Sequence, residues 1–292
     1  MLHTISNECL KVTVAEDGAE LQSIWGIDGT EYLWQGDKAY WKSRALNIFP
    51  YVARLTDGSY YLDGELHRMD IHGIAPYAHF TAVESSDTRL ALELSADDRT
   101  LAVYPRHFVF RVIYTLRKDS LEITYEVENR DQRPMYFGLG GHPGFNVPME
   151  DGLTFEDYRL RFDRLCQPKR IGFTETCFRN GKDEDYPLVD NQCIPLRHDL
   201  FDHDAVVLKD VSHQVTLEAP GHSRCVTVSF PQMDYVGFWH RPKTDAPFVC
   251  IEPWCSLPAM DGGITVFEDQ PDLLRLAPDT TYRNCWTITI NI

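Results

Sequence analysis

From Phe108 to Val127 the chain reads as two amphipathic strands joined by a turn, and this pair rules out most of the folds open to 292 residues. Phe108, Phe110, Val112, Tyr114 and Leu116 fall on one face. After the turn at Lys118-Asp119-Ser120, Leu121, Ile123, Tyr125 and Val127 do the same, while Glu122, Thr124, Glu126 and Glu128 take the other face. A period of two with one apolar face is the mark of a half-buried antiparallel pair. The same grammar recurs in Leu10, Val12 and Val14, in Val215-Thr216-Leu217, in Cys225 to Val228, in Phe248 to Ile251, and in Trp286, Ile288, Ile290 and Ile292. Asp28-Gly29 and Asp57-Gly58 read as turns, and Tyr60 to Leu66 as a hairpin about Asp63-Gly64. Long helical periodicity is missing apart from a short turn around Asp97 to Leu101. Many short strands without alternating helices predict an all-β sandwich or barrel, formed as one domain over residues 1–292. The irregular, charged stretch Gln167 to Asp190 is expected to be a long surface excursion.

A net charge of -16 argues against nucleic acid, whose binding needs Lys and Arg to neutralise phosphates, and against docking on anionic membranes. The first eight residues carry neither a basic nor an apolar leader segment, and no run reaches the ~18 apolar residues that a spanning helix needs. The eight cysteines form no Cys-x-x-Cys pair, and Cys225, Cys250 and Cys285 sit in apolar runs. A reduced, cytoplasmic protein is expected. Nucleotide-binding loops and a serine nucleophile elbow are absent from the sequence.

Candidate chemistry centres on Gly140-Gly141-His142-Pro143-Gly144-Phe145-Asn146-Val147-Pro148, where three glycines and two prolines restrict the backbone around one imidazole suited to proton transfer near neutral pH. The bland alternative is a tight turn with a capping histidine. Four more polar residues punctuate apolar runs: Arg54 after Asn47 to Ala53, His72 in Asp70-Ile71-His72-Gly73-Ile74, Asp204 at a strand entrance, and Glu252 between Ile251 and Pro253-Trp254. Each could instead be a structural ion pair, a turn or an exposed strand end. Gathered at the mouth of a sandwich, they would line one pocket. His72, His142 and Glu252 could also ligate a metal, though their spacing does not favour it. His107, His198, His213, His222 and His240 lie in polar contexts and read as surface.

Asn47-Ile48-Phe49-Pro50 through Arg54, His72-Gly73, Gly141 to Asn146, Leu200 to Asp204 and Ile251-Glu252-Pro253-Trp254 resemble, in order and over nearly the whole chain, the aldose 1-epimerases, with the LacX-like branch as the nearest. The resemblance implies a galactose mutarotase-like β-supersandwich with no cofactor and no metal, acting on a small-molecule sugar. It implies His142 as general acid, Glu252 as general base and His72 as an assistant at the ring oxygen. Arg54 and Asp204 would hold sugar hydroxyls, and Phe145 and Trp254 would offer apolar surface. Ala53 stands where the family commonly has glycine, and Ile74-Ala75-Pro76 where many members continue Phe-Ala-Arg. Relatives acting on sugar phosphates use arginines near that segment, so Pro76 points to a free aldohexose. Arg44 is a conceivable substitute in a hexose-6-phosphate epimerase. A carbohydrate-binding sandwich without turnover is the further alternative.

Overall fold

The computed structural model describes residues 1–291. The hairpin expected from the alternation lies at the centre of its largest sheet. Phe108–Arg117 and Ser120–Asn129 pair antiparallel from Ser120↔Arg117 to Asn129↔Phe108, with Lys118 in the left-handed region at the turn. Thr281–Asn291 pairs with Ser120–Asn129 and Arg89–Ser95 with Phe108–Arg117, and the sheet grows outward to nine antiparallel strands. Ile292, expected on the last strand's inner face, lies outside the described residues.

A second sheet of seven strands carries the site. In spatial order it runs Glu184–Asp185, Lys169–Arg170, Val206–Lys209, Tyr235–Trp239, Phe248–Trp254, Gly140–Asn146 and Ala45–Ile48. The two large sheets pack face to face, as in a sandwich. Tyr125 of the nine-stranded sheet donates its hydroxyl to Asn47 Oδ1 at 2.9 Å, and Trp286 lies over Gly141. One apolar cluster between them runs from Ile5 to Ile290, with Phe49, Phe110 and Tyr125 at its heart. The fold is an all-β sandwich, as the alternation predicts.

The structure revises four local readings. Gly140–Asn146 is a buried central strand, not a turn. Its glycines are there for close approach: a Cβ on Gly141 would sit 2.5 Å from the Trp286 ring, and one on Gly140 2.6 Å from Trp254. Nor does Phe248–Trp254 end at Glu252; it continues through Pro253 and Trp254. Gln167 to Asp190 is not purely a surface loop, since Lys169–Arg170 and Glu184–Asp185 extend the seven-stranded sheet. The turn near Asp97 is a helix, Asp98–Val103, held by a capping box in which Asp97 accepts from the Thr100 N–H at 2.8 Å.

Candidate active site

The floor of the site is built by two adjacent central strands. Gly140 pairs with Trp254 and Gly144 with Cys250, a register that sets His142 opposite Glu252. Directly opposed side chains on one face of a sheet approach closely. Here His142 Nε2 lies 3.2 Å from Glu252 Oε2. Pro143 and Pro253, which have no N–H, both fall in the stretch where the ladder between these strands lapses. The backbone is therefore interrupted beside the pair without leaving unpaired donors at those two positions.

Both groups are buried, with Glu252 1% and His142 7% exposed. Burial holds the Glu252 carboxyl well above the usual carboxylate range, and the negative charge of Asp204 adds to this. Burial likewise holds the His142 imidazole well below its usual value, with His72 contributing. Desolvation favours the uncharged form of each. The neutral pair carries one transferable proton, held either by the carboxyl or, after transfer, by the imidazole. Trp41 stacks on the His142 ring at 4.7 Å and 26°, and Trp239 meets it edge-on at 5.6 Å. His142 Nδ1 is buried with no hydrogen-bond partner among the described residues, and Nε2 is the nitrogen that faces the carboxyl.

His72 reaches the pair through a constrained connection. Ala53 and His72 both have positive φ, at 56° and 65°, and the His72 N–H donates to the Ala53 carbonyl at 3.0 Å. Gly73 is required beside it, because a Cβ there would lie 2.3 Å from the Phe49 carbonyl oxygen. The Ala53 N–H donates back to His72 Nδ1 at 3.3 Å, which leaves the proton on Nε2. The ring stands edge-on to His142, with centroids 5.4 Å apart. Burial and the nearby Arg54 push its pKa down to about 4, so at neutral pH it is a hydrogen-bond donor without charge.

Asp204 adopts φ 74°, a region that Asp tolerates better than most residues, and its N–H donates to the Phe201 carbonyl at 3.0 Å. Its Oδ1 accepts from Trp239 Nε1–H at 2.8 Å, and its Oδ2 lies 3.9 Å from an Arg54 guanidinium nitrogen. These residues line a cleft of about 420 Å³, within the usual range for small-molecule sites. The cleft continues into an outer basin of about 940 Å³ that shares Arg54, Asp204, Trp239 and Arg241 with it.

The structure thus brings His142, Glu252, His72, Arg54, Asp204 and Trp254 to one cleft. Phe145 is not there. It is fully buried in the main core, because it lies three residues from His142 on an extended strand and so faces the opposite side. Trp41, Trp239 and Arg241 line the cleft without having been marked by the sequence. His240 was expected at the surface but is fully buried, packed against Phe201 and Phe248 and 3.0 Å from His198 Nδ1.

The sequence matches the family model for aldose 1-epimerase over residues 1–270. The chain belongs to the aldose 1-epimerase family. LacX of Lactococcus lactis subsp. lactis is 31% identical over 98% of both chains. A galactose mutarotase-like protein from Lactobacillus casei superposes with a TM-score of 0.94 at 31% identity, covering 99% of this chain and 100% of its own. A galactose mutarotase related enzyme from Lactobacillus acidophilus gives 0.93 at 30% identity, covering 99% and 97%. Among the described residues no helix is long and apolar enough to cross a membrane.

Proposed function

We propose that the protein is an aldose 1-epimerase that interconverts the α and β anomers of a free aldohexose, working as a single domain in the cytoplasm. The observation that carries this reading is the buried His142–Glu252 pair, 3.2 Å apart on the cleft floor. Anomer exchange needs one group to take the proton from the C1 hydroxyl while another gives one to the ring oxygen O5. Glu252 accepts the hydroxyl proton, C1–O1 becomes a carbonyl, the C1–O5 bond breaks and O5 takes a proton from His142. Rotation about C1–C2 presents the other carbonyl face. O5 then attacks C1, returning its proton to His142, while O1 recovers one from Glu252. The cycle consumes no proton.

The reactive state has the imidazole protonated and the carboxyl ionised. It differs from the uncharged resting pair only by proton transfer between the two groups, and sugar hydroxyls entering the cleft supply polar contacts that favour the charged form. Neutral His72 donates toward the ring-oxygen side. Arg54 and Asp204 hold hydroxyls, and Trp254 gives an apolar wall.

A hexose 6-phosphate is a second reading, supported by Arg241 and Lys42 in the cleft wall, which make no ion pair among the described residues. Against it, Pro76 lines the cleft, and Arg44 is turned away to Gln22, donating to its carbonyl at 2.9 Å and to its Oε1 at 2.8 Å. The test is polarimetry on freshly dissolved α-aldoses and their 6-phosphates, corrected for spontaneous mutarotation. Glu252→Gln and His142→Asn should each lower kcat by roughly 10²–10⁴-fold with much smaller effects on affinity. The double variant should be far less impaired than the product of the two losses. Near-normal turnover in folded Glu252→Gln ends the mechanism. Sugar binding without turnover by the wild type would leave a non-catalytic binding protein.

A further inference from the structure

The strand that carries Glu252 places another reactive side chain on the same face. Residues 250, 252 and 254 of Phe248–Trp254 share one side, so Cys250 is the next side chain along from the carboxylate. It lies opposite Gly144, whose missing side chain leaves the neighbouring space to Trp34, Trp41 and Phe248. One donor atom each from His142, Cys250 and Glu252 come within 4.8 Å of one another, and all three residues are buried. The cysteine is free and has no part in the proton transfers above.

We propose that His142, Cys250 and Glu252 form a binding site for a borderline-soft divalent cation such as Zn²⁺, and that occupancy shuts off the cleft. In a tetrahedron with bonds of ~2.0–2.1 Å, nitrogen and oxygen ligands are separated by about 3.3 Å. The His142–Glu252 distance is 3.2 Å, so these two need almost no movement. A sulfur ligand at ~2.3 Å from the metal stands about 3.6 Å from the other two, and since the three donor atoms lie within 4.8 Å of one another the thiol has at most about 1.2 Å to close. One nitrogen, one sulfur and one carboxylate oxygen suit Zn²⁺ or Co²⁺ and disfavour Mg²⁺ or Ca²⁺. His142 and Glu252 also line the cleft, which leaves the fourth position open to water and gives the ion its path of entry.

Nε2 is the His142 nitrogen that faces Glu252, so it is the atom that offers its lone pair to the ion. Binding a cation to the uncharged resting groups displaces two protons, one from the thiol and one from the carboxyl, and so strengthens as pH rises. The ion occupies the lone pairs that the acid and the base both need. That loss of turnover rests on the acid–base function proposed above; the binding itself does not.

The experiment is a titration of chelator-stripped, full-length protein with Co²⁺, read by absorption, with Zn²⁺ as competitor. One Co²⁺ per chain should bind with a thiolate-to-cobalt charge-transfer band and the visible bands of a tetrahedral ion, and both should disappear when Zn²⁺ is added. Calorimetry in two buffers of different ionisation enthalpy should show about two protons released per ion. Cys250→Ser, with Cys250→Ala as the variant that places no hydroxyl in the apolar site, should abolish the charge-transfer band and weaken binding by more than the ~10–100-fold that losing an outer partner costs. Both variants should keep metal-free mutarotation unchanged and escape inhibition by Zn²⁺. Absence of the band in the wild type, its persistence in the Cys250 variants, or faster turnover with the ion bound would each overturn the proposal. Spectroscopic binding without any inhibition would refute the acid–base function and leave the site standing.

Discussion

Replacing Asp204 by asparagine separates its proposed hold on the sugar from its part in the fold. The Arg54–Asp204 contact is 3.9 Å long, between side chains 46% and 30% exposed. Solvent screening limits such a pair to at most ~1 kcal/mol, so unfolding stability should fall by less than that. The amide oxygen still accepts from Trp239 Nε1–H, which preserves the indole that edges His142. What goes is the charge. A hydrogen bond to a charged acceptor contributes ~1.5–3 kcal/mol against ~0.5–1.5 for a neutral one, and the difference of about 1–2 kcal/mol corresponds to a 5- to 30-fold weaker hold on a sugar hydroxyl. Asp204 also raises the Glu252 pKa, so its removal moves the alkaline limb of the kcat/KM profile to lower pH. Polarimetry across pH, calorimetric sugar binding and urea unfolding together read all three effects. Asp204→Ala should do more damage, because Trp239 loses its partner as well. A 100-fold fall in kcat with unchanged affinity, or an alkaline limb displaced upward, would refute this division of roles.

Exhaustive chelation should leave mutarotation intact, since the acid–base pair needs no Lewis acid; activity lost on chelation and restored by a divalent ion would shift the function to metal catalysis. Fully buried His240 has its pKa pushed down to about 4, mainly by burial, so the unfolded chain binds a proton there that the native state refuses. The stability it contributes is present above pH 6.5 and lost as pH falls, amounting to about 3 kcal/mol by pH 4. Urea unfolding of His240→Asn should show that much less loss over the same window. Gly141→Ala drives a methyl to 2.5 Å from the Trp286 ring and should cost ~1–3 kcal/mol, seen as a lower urea midpoint with an unchanged slope.

The strands were legible because each buries one face, and alternation records that directly. The central hairpin, the Asp63-Gly64 turn and the last strand all follow the pattern. Most of the polar residues that share the cleft were legible as a set, but their geometry was not. That Glu252 opposes His142 is a matter of register between strands over a hundred residues apart, and no local pattern encodes it. Reading Gly140 to Asn146 as a restricted stretch that aims one histidine, with a turn as the alternative, also hid the parity that turns Phe145 away from His142. Had the stretch been read as a strand, a separation of three would have sufficed to place them on opposite faces. Trp41 and Trp239 left no signal, because each acts through a neighbour brought in from elsewhere in the chain. His240 sits between Trp239 and Arg241 and looks exposed; Phe155, Phe201 and Phe248 bury it from three other segments.

His142 and Glu252 stand on adjacent strands in the middle of a sheet, while much of the outer basin comes from the 167–190 excursion, which contributes Phe173, Cys177, Asn180, Lys182 and Glu184. Sheet spacing fixes the first arrangement, and a loop that insertion or deletion could remodel supplies the second. The two can therefore be inherited separately. Replacing the loop between Arg170 and Glu184, with its flanking strands kept, would remodel the basin and the part of the cleft wall that Phe173 and Cys177 supply, while the strands that carry His142 and Glu252 stay in place, which makes this loop the natural place to diversify what the cleft admits.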